Sequence, residues 1–287
     1  MIQLKSTREI ELIARGGAII ADLLDELRSR VRPGVSTGEV DQLADEFIRS
    51  HDGAVPAFKG LYGFPGSVCT SVNEEVVHGI PSRTRRLEEG DILSVDVGVR
   101  LEGWCSDSAW TFPVGEVDED TRHLLTVTEE SLYRALEAAV VENRVGDIGA
   151  AVMSRVEGTG LGIIRDLVGH GLGKEVHEEP QVPNVGRRGQ GPPLMDGMVL
   201  AIEPMLSAGT EEIKTLKDRW TVVTADLSRS AHYEHTIAVT DQGPMVLTGT
   251  VPEGYRVLPS PLAAGKGSEG APGGTGETAR ERLETAE

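Results

Sequence analysis

The sequence predicts an α+β fold of two similar halves, each made of two helices followed by short strands. The first observation is order: helix, helix and strands follow one another, and the same order then repeats. The second is a match between residues 90–96 and 197–203, at an offset of 107 positions, where each apolar run ends on an acid. We therefore expect these acids to meet where the two halves join.

The first pair of helices is marked by two capping boxes. Ser6 pairs with Glu9 and Ser36 pairs with Glu39, and apolar residues follow each box at helical spacing. Pro33 lies between the two segments and separates them. The sequence thus predicts two amphipathic helices at the start of the chain.

Strands and a second pair of helices follow. Short β-rich runs occupy residues 67–72, 92–99 and 109–112, between turn residues. Helical spacing returns over residues 118–142, and Asp147 is expected to cap a short fourth helix. Strand and loop patterns then continue to the end of the second half.

The folded body is expected to cover residues 1–250, with halves of about 1–115 and 116–250. Residues 251–287 are predicted to form a disordered, glycine-rich tail. Residues 263–277 hold six glycines and no large apolar side chain. Such a segment buries too little surface to offset its conformational entropy.

Composition excludes several classes of protein. The net charge is −18, of which residues 251–287 contribute only −2 (four basic, six acidic), so the body repels nucleic acid and anionic lipid. No apolar run approaches the length of a membrane span, and the first residues lack an export pattern. Two cysteines, Cys69 and Cys105, form no disulfide framework. We expect a cytoplasmic protein.

Two acids fall on a predicted hairpin. Asp96 ends an apolar β run, and Asp107 follows a turn that begins near Arg100. A two-residue loop at Leu101 and Glu102 places the two carboxylates directly opposite each other, about 5 Å apart. Leu-Glu is poor chemistry for such a turn, so a longer or bulged loop is an alternative.

Glu203 and Glu234 add two more acids beside apolar β runs. Four buried carboxylates are costly unless a cation lies between them, and hard divalent ions prefer oxygen ligands. His170 and His177 lie in a glycine-rich segment, and His78 precedes Gly-Ile-Pro. Each histidine alone fits a structural role, but beside four acids one can complete a metal site.

Six short motifs extend this set, and together they identify a family. They are Gly63-Phe-Pro-Gly-Ser-Val-Cys69, His78-Gly-Ile-Pro81, Gly169-His-Gly171, His177-Glu-Glu-Pro180, Ile202-Glu-Pro-Met205 and Tyr233-Glu-His-Thr236. Over residues 1–250 the chain resembles the type I methionine aminopeptidases. Only 31 positions separate Glu203 from Glu234, which leaves no room for the type II insert. The resemblance implies the pita-bread fold, in which two pseudo-symmetric halves share a central antiparallel sheet and a dinuclear metal site.

The resemblance also implies roles for the ligands. Asp107 and Glu234 bridge two divalent ions, Asp96 holds one ion, and His170 with Glu203 holds the other. Manganese, iron or cobalt fits this set, with zinc as an alternative. The ions activate a water, and Glu203 acts as general base.

Further residues are assigned to the substrate by the same resemblance. His78 and His177 are expected to hydrogen-bond the substrate and to stabilise the tetrahedral intermediate. The expected walls of the methionine pocket are Phe58, Leu61, Phe64, Cys69, Val176 and Trp220. One departure stands out: Gly98 occupies a position where relatives often carry a hydroxyl residue.

The implied function is removal of the N-terminal methionine from peptides and nascent chains, with a small second residue preferred. The expected partners are these substrates and, transiently, the ribosome; the protein is expected to be a monomer without specific nucleic acid or membrane partners. One alternative is an Xaa-Pro aminopeptidase or prolidase on the same fold. Another is a non-catalytic pita-bread protein that binds ribosomes.

Overall fold

A computed structural model describes residues 1–262, and the disorder predicted for residues 263–287 lies outside this range. Four α-helices are present in the described part of the chain: α1 (Thr7–Arg30), α2 (Thr37–Arg49), α3 (Glu119–Glu137) and α4 (Val145–Val156). The first half carries five strands: β1 (Ala54–Pro56), β2 (Cys69–Val72), β3 (Glu75–Val77), β4 (Ile92–Leu101) and β5 (Trp104–Pro113).

The second half carries shorter strands. They are β6 (Gly162–Ile163), β7 (Val168–Gly171), β8 (Glu178–Pro183), β9 (Val199–Ile202), β10 (Met205–Ser207), β11 (Ile213–Thr215), β12 (Val222–Thr224), β13 (Ser230–His232), β14 (His235–Thr240) and β15 (Gly243–Val246). Among residues 1–262, no helix is long and apolar enough to cross a membrane.

The helices begin where the capping patterns place them. The backbone N–H groups of Ser6 and Ser36 donate to the Glu9 and Glu39 carboxylates at 2.8 Å, which starts α1 and α2. In α4 the prediction was off by a few residues, because Asp147 lies inside the helix and its carboxylate accepts from the N–H of Arg144. The helix predicted over residues 118–142 ends earlier, at Glu137.

Two antiparallel sheets form the centre of the fold. In the first, β4 pairs with β1, β2 and β5; in the second, the order is β15-β14-β9-β7-β8. The aligned segments 90–96 and 197–203 run into β4 and β9, which are inner strands of the two sheets. One exchange crosses the halves, because β3 pairs with β12. The predicted α+β, pita-bread architecture is confirmed.

The pairing of β4 with β5 differs from the predicted register by two residues. Leu101 pairs with Trp104, so the two-residue loop is Glu102-Gly103, not Leu101-Glu102. Both loop residues have positive φ (50° and 84°), which a two-residue primed turn requires and glycine favours. In this register Asp107 faces Gly98, and Asp96 faces Ala109. The two acids are therefore diagonal neighbours, and the predicted direct pair was wrong.

The helices cover the sheets with apolar cores. Side chains of α1 and α2 pack on β4 and β5, and those of α3 and α4 pack on the second sheet. Gly17 allows a close approach, since a Cβ there would collide with the carbonyl oxygen of Leu247.

The segment 251–262, which was assigned to the tail, packs on the second half. Tyr255 contacts Tyr133 of α3 at 4.9 Å between ring centroids, and the N–H of Leu258 donates to the carbonyl of Pro244 at 2.7 Å. These contacts place the segment against α3 and β15.

Candidate active site

The five predicted ligands come from strands or strand ends in both halves. Asp96 lies on β4 and Asp107 on β5, so the first half supplies both from one hairpin. His170 lies on β7, Glu203 directly follows β9, and Glu234 directly precedes β14. The acids of the second half therefore occupy breaks between strands.

These side chains converge on one point. Asp107, His170 and Glu234 each offer a ligand atom, and these atoms all lie within 4.8 Å of one another. Nε2 of His170 lies 3.5 Å from Oε1 of Glu203 and 3.9 Å from Oδ2 of Asp107. The Asp96 and Asp107 carboxyl groups lie close enough to interact electrostatically. The structure thus brings together all five residues that the sequence selected.

The local environment disfavours negative charge on the four acids. Burial raises the pKa of Asp96 to about 7. Burial raises the pKa of Asp107, Glu203 and Glu234 well above the usual range, and repulsion between the carboxylates adds to this effect. Such a group of acids is stable either with protons or with bound cations.

The polar atoms left without partners fit divalent cations. Oδ1 of Asp96, Oδ1 of Asp107 and Oε1 of Glu234 are buried and accept no hydrogen bond. Within residues 1–262, no lysine or arginine forms an ion pair with any of the four acids. Oxygen atoms with this geometry and one imidazole are the donor set of a hard divalent metal site.

His170 has the orientation that a metal ligand needs. Its Nδ1 lies 2.9 Å from the carbonyl oxygen of Gly171, which only accepts, so Nδ1 carries the proton. The lone pair of Nε2 then faces Asp107 and Glu203. Burial lowers the pKa of His170 to about 4, which keeps the imidazole neutral.

A cavity of about 580 Å³ opens beside the acids. Five of the six predicted pocket residues line it: Phe58, Leu61, Phe64, Cys69 and Trp220. Val176 does not line the cavity, but it belongs to the same buried cluster as Phe58 and Phe64. The cavity is therefore apolar on one side and carboxylate-lined on the other.

His78 and His177 both line this cavity without joining the acids. The ring of His78 lies edge-on to Trp220, with 6.4 Å between centroids, and His177 lies 4.6 Å from His170. His78 has a φ of 60°, which lies in the left-handed region that few non-glycine residues adopt. Burial lowers the pKa of both histidines, so each can act as a neutral hydrogen-bond donor.

Several residues that line the cavity were not assigned to it by the sequence analysis, and His232 and Tyr62 are two of them. His232 is 2% exposed, and its Nε2 lies 3.7 Å from Oε2 of Glu203. Tyr62 is stacked on His177 with 5.9 Å between ring centroids. A signal for His232 existed in its position two residues before Glu234, where alternation along an extended chain turns both side chains to one face.

Comparison with known proteins agrees with this geometry. The model of metallopeptidase family M24 matches residues 11–241. The methionine aminopeptidase of Clostridium perfringens is 52% identical over 248 residues, which cover 86% of this chain and 99% of the relative.

Solved structures give the same result. The crystal structure of methionine aminopeptidase from Thermotoga maritima has a TM-score of 0.85 and 44% identity, and the match covers 87% of this chain and 100% of that chain. A prolidase from Pyrococcus furiosus shares the fold, with a TM-score of 0.70 and 23% identity, but only 66% of its length is matched.

The fold and the buried acid cluster define a metal-dependent hydrolase, and the chain belongs to metallopeptidase family M24. Within that family it groups with the bacterial methionine aminopeptidases, which match it over nearly their whole length.

Proposed function

We propose that the protein removes the N-terminal methionine from peptides and nascent chains, and prefers a small second residue. One observation carries the proposal: five candidate ligand residues converge beside a cavity with an apolar wall, in a chain 52% identical to a methionine aminopeptidase. Nascent chains begin with methionine. The proposal therefore includes the cytoplasm as the place of action and a transient contact of a monomer with the ribosome.

Asp96, Asp107, His170, Glu203 and Glu234 would hold two divalent ions, and manganese, iron or cobalt suits these ligands better than zinc. When bound, the ions supply Lewis acidity and water that is reactive at neutral pH. Glu203 would accept a proton from the attacking water and pass it to the leaving amine.

The histidines and the cavity act on the substrate. His78 and His177 line the cavity, and we expect them to donate hydrogen bonds to the substrate carbonyl oxygen as it gains charge. Phe64, Cys69 and Trp220 surround a thioether with soft apolar groups. An unpaired charge in this pocket costs at least several kcal/mol.

The test is hydrolysis of Met-Ala-Ser and of Ala-Pro-Ala by protein that has been stripped of metal and then reloaded. We expect cleavage of Met-Ala-Ser only. Preferential cleavage of Ala-Pro-Ala indicates an Xaa-Pro peptidase, and no cleavage of either peptide indicates a non-catalytic protein.

Pocket selectivity is tested by the first residue of the peptide. We expect kcat/KM to fall in the order Met, Leu and then charged residues, because leucine differs mainly in shape whereas a charge is desolvated. Comparable rates for Met-Ala-Ser and Lys-Ala-Ser contradict the assignment of the pocket.

A further inference from the structure

Gly98 of β4 lies beside the metal-binding acids. Side chains alternate along a strand, so position 98 faces the same side as Asp96, and Asp107 is its pairing partner on β5. Val97 and Val99 face the other side, where they join the apolar core beneath α1 and α2. A residue at position 98 would therefore project toward the acids.

The ring of Phe58 occupies the space of that missing side chain. A Cβ atom on Gly98 would lie 2.5 Å from Cε1, 2.8 Å from Cδ1 and 2.9 Å from Cζ of the ring. Real Cβ atoms do not approach other atoms so closely, so even alanine at position 98 collides with Phe58.

The backbone holds Phe58 in this place. Pro56 of β1 pairs with Val99, and the N–H of Ala57 donates to the carbonyl of Gly98 at 2.8 Å. The next residue, Phe58, is therefore fixed beside Gly98 by main-chain contacts.

The ring has little freedom to move away. Phe58 is 7% exposed, and its cluster includes Phe64, Cys69 and Val176. The ring also forms part of the cavity wall. Because protein interiors are close-packed, the space open to a displaced ring is the cavity itself.

We propose that Phe58 and Gly98 form one specificity-determining pair, in which the glycine admits the ring and the ring sets the width of the side-chain pocket. This inference rests on the proposed function and deepens it: the group that the ring excludes is a first side chain larger than methionine. The two positions are expected to tolerate change only together.

The experiment is a double-mutant cycle of Gly98→Ala, Phe58→Leu and the double variant, assayed on Met-Ala-Ser and Phe-Ala-Ser. Gly98→Ala alone is expected to lower kcat/KM for Met-Ala-Ser by about 10- to 200-fold, because the ring is pushed into the cavity. Phe58→Leu alone is expected to raise kcat/KM for Phe-Ala-Ser, relative to kcat/KM for Met-Ala-Ser, by about tenfold or more.

The decisive result is the double variant. Gly98→Ala is harmful in the wild type but is expected to restore selectivity for Met-Ala-Ser in the Phe58→Leu background, since the added methyl group refills the space. Val99→Ala is the matched control on the opposite face of β4. It is expected to lower the melting temperature but to leave the ratio of kcat/KM for the two peptides unchanged.

Melting temperatures supply a readout that does not depend on turnover. The decrease in melting temperature caused by Gly98→Ala is expected to be smaller in the Phe58→Leu background than in the wild type. Additive effects on both selectivity and melting temperature overturn the pairing. An inactive wild type contradicts the proposed function, whereas an active protein with unchanged selectivity in Phe58→Leu contradicts only this inference.

Discussion

The two halves of the molecule present their acids in different ways. In the first half, Asp96 and Asp107 lie within a regular ten-residue ladder between β4 and β5. In the second half, Glu203 lies between β9 and β10, and Glu234 lies between β13 and β14. The first pair is fixed by its own hairpin, and the second pair needs support from elsewhere.

For Glu234 that support comes from the first half. The Ser108 hydroxyl donates to the carbonyl of Glu234 at 2.5 Å, and the N–H of Glu234 donates to the carbonyl of Ala109 at 2.9 Å. The Thr236 hydroxyl donates to the carbonyl of Asp107 at 2.7 Å. Hydrogen bonds from β5 of the hairpin therefore hold Glu234 and the start of β14 in position.

The largest expected effect is on Glu203. Glu203→Gln keeps the size of the side chain but removes its charge and its capacity to accept a proton. We expect kcat for Met-Ala-Ser to fall by about 10²- to 10⁴-fold at saturating metal. Glu211→Gln, which changes an exposed surface pair with Arg165, is the control and is expected to retain kcat. A nearly normal kcat in Glu203→Gln contradicts the proposed base.

The next effect concerns a second contact between the halves. Lys5 and Glu178 form a buried ion pair at 2.6 Å, with side chains 3% and 9% exposed, and Glu178 directly follows His177. Lys5→Met leaves a buried carboxylate without its partner, so we expect the free energy of unfolding to fall by about 3–5 kcal/mol.

The control for Lys5 is an exposed ion pair. The side chains of Arg15 and Glu102 form an ion pair and are 46% and 53% exposed. Arg15→Met breaks this pair and is expected to lower the free energy of unfolding by less than about 1 kcal/mol. Urea unfolding measures both variants. Equal losses of unfolding free energy in the two variants contradict a larger contribution of the buried pair to stability.

A smaller and more selective effect is expected for His78. His78→Ala removes a predicted hydrogen bond to the substrate but none of the five ligands, so kcat is expected to fall while bound metal stays constant. His170→Ala is the comparison, and it is expected to lose metal. Elemental analysis of the purified variants separates the two roles, and metal loss in His78→Ala shows that its assignment is wrong.

The pKa of Asp96 predicts a pH dependence of stability in metal-free protein. A carboxyl with a folded pKa of about 7, above the unfolded value near 3.9, stabilises the fold while protonated. That contribution is complete below about pH 4 and is lost as the pH rises through 7. Asp96→Asn does not titrate, so its melting temperature relative to the wild type is expected to rise between pH 4 and 7.

Added metal is expected to reverse the order of these two proteins, because the wild-type carboxylate binds the cation and asparagine binds it poorly. A difference in melting temperature that does not change with pH contradicts the raised pKa of Asp96.

Sequence patterns of a few neighbouring residues predicted those parts of the fold that depend on contacts between neighbouring residues. The Ser36 and Glu39 capping box fixes the start of α2, and acids at the ends of apolar runs mark the site. The predicted hairpin register was wrong because Glu102 adopts a positive φ, which is uncommon for glutamate and could not be predicted from its residue type. The pairing of β3 with β12 joins residues about 145 positions apart and leaves no local pattern.

The smallest expected effect belongs to the end of the chain, which has no counterpart in the first half. Residues 251–262 contact α3 and β15, and Arg134 lies over the Tyr255 ring at 4.9 Å. Residues 263–277 contain nothing large and apolar to pack. Removing residues 263–287 is therefore expected to leave both the melting temperature and kcat/KM for Met-Ala-Ser unchanged.

Removing residues 251–287 is the matched comparison and is expected to lower the melting temperature, because Tyr133 loses its partner ring. Equal melting temperatures for the two truncated proteins contradict the packing of residues 251–262, and a large loss on removal of residues 263–287 shows that this segment also contacts the body.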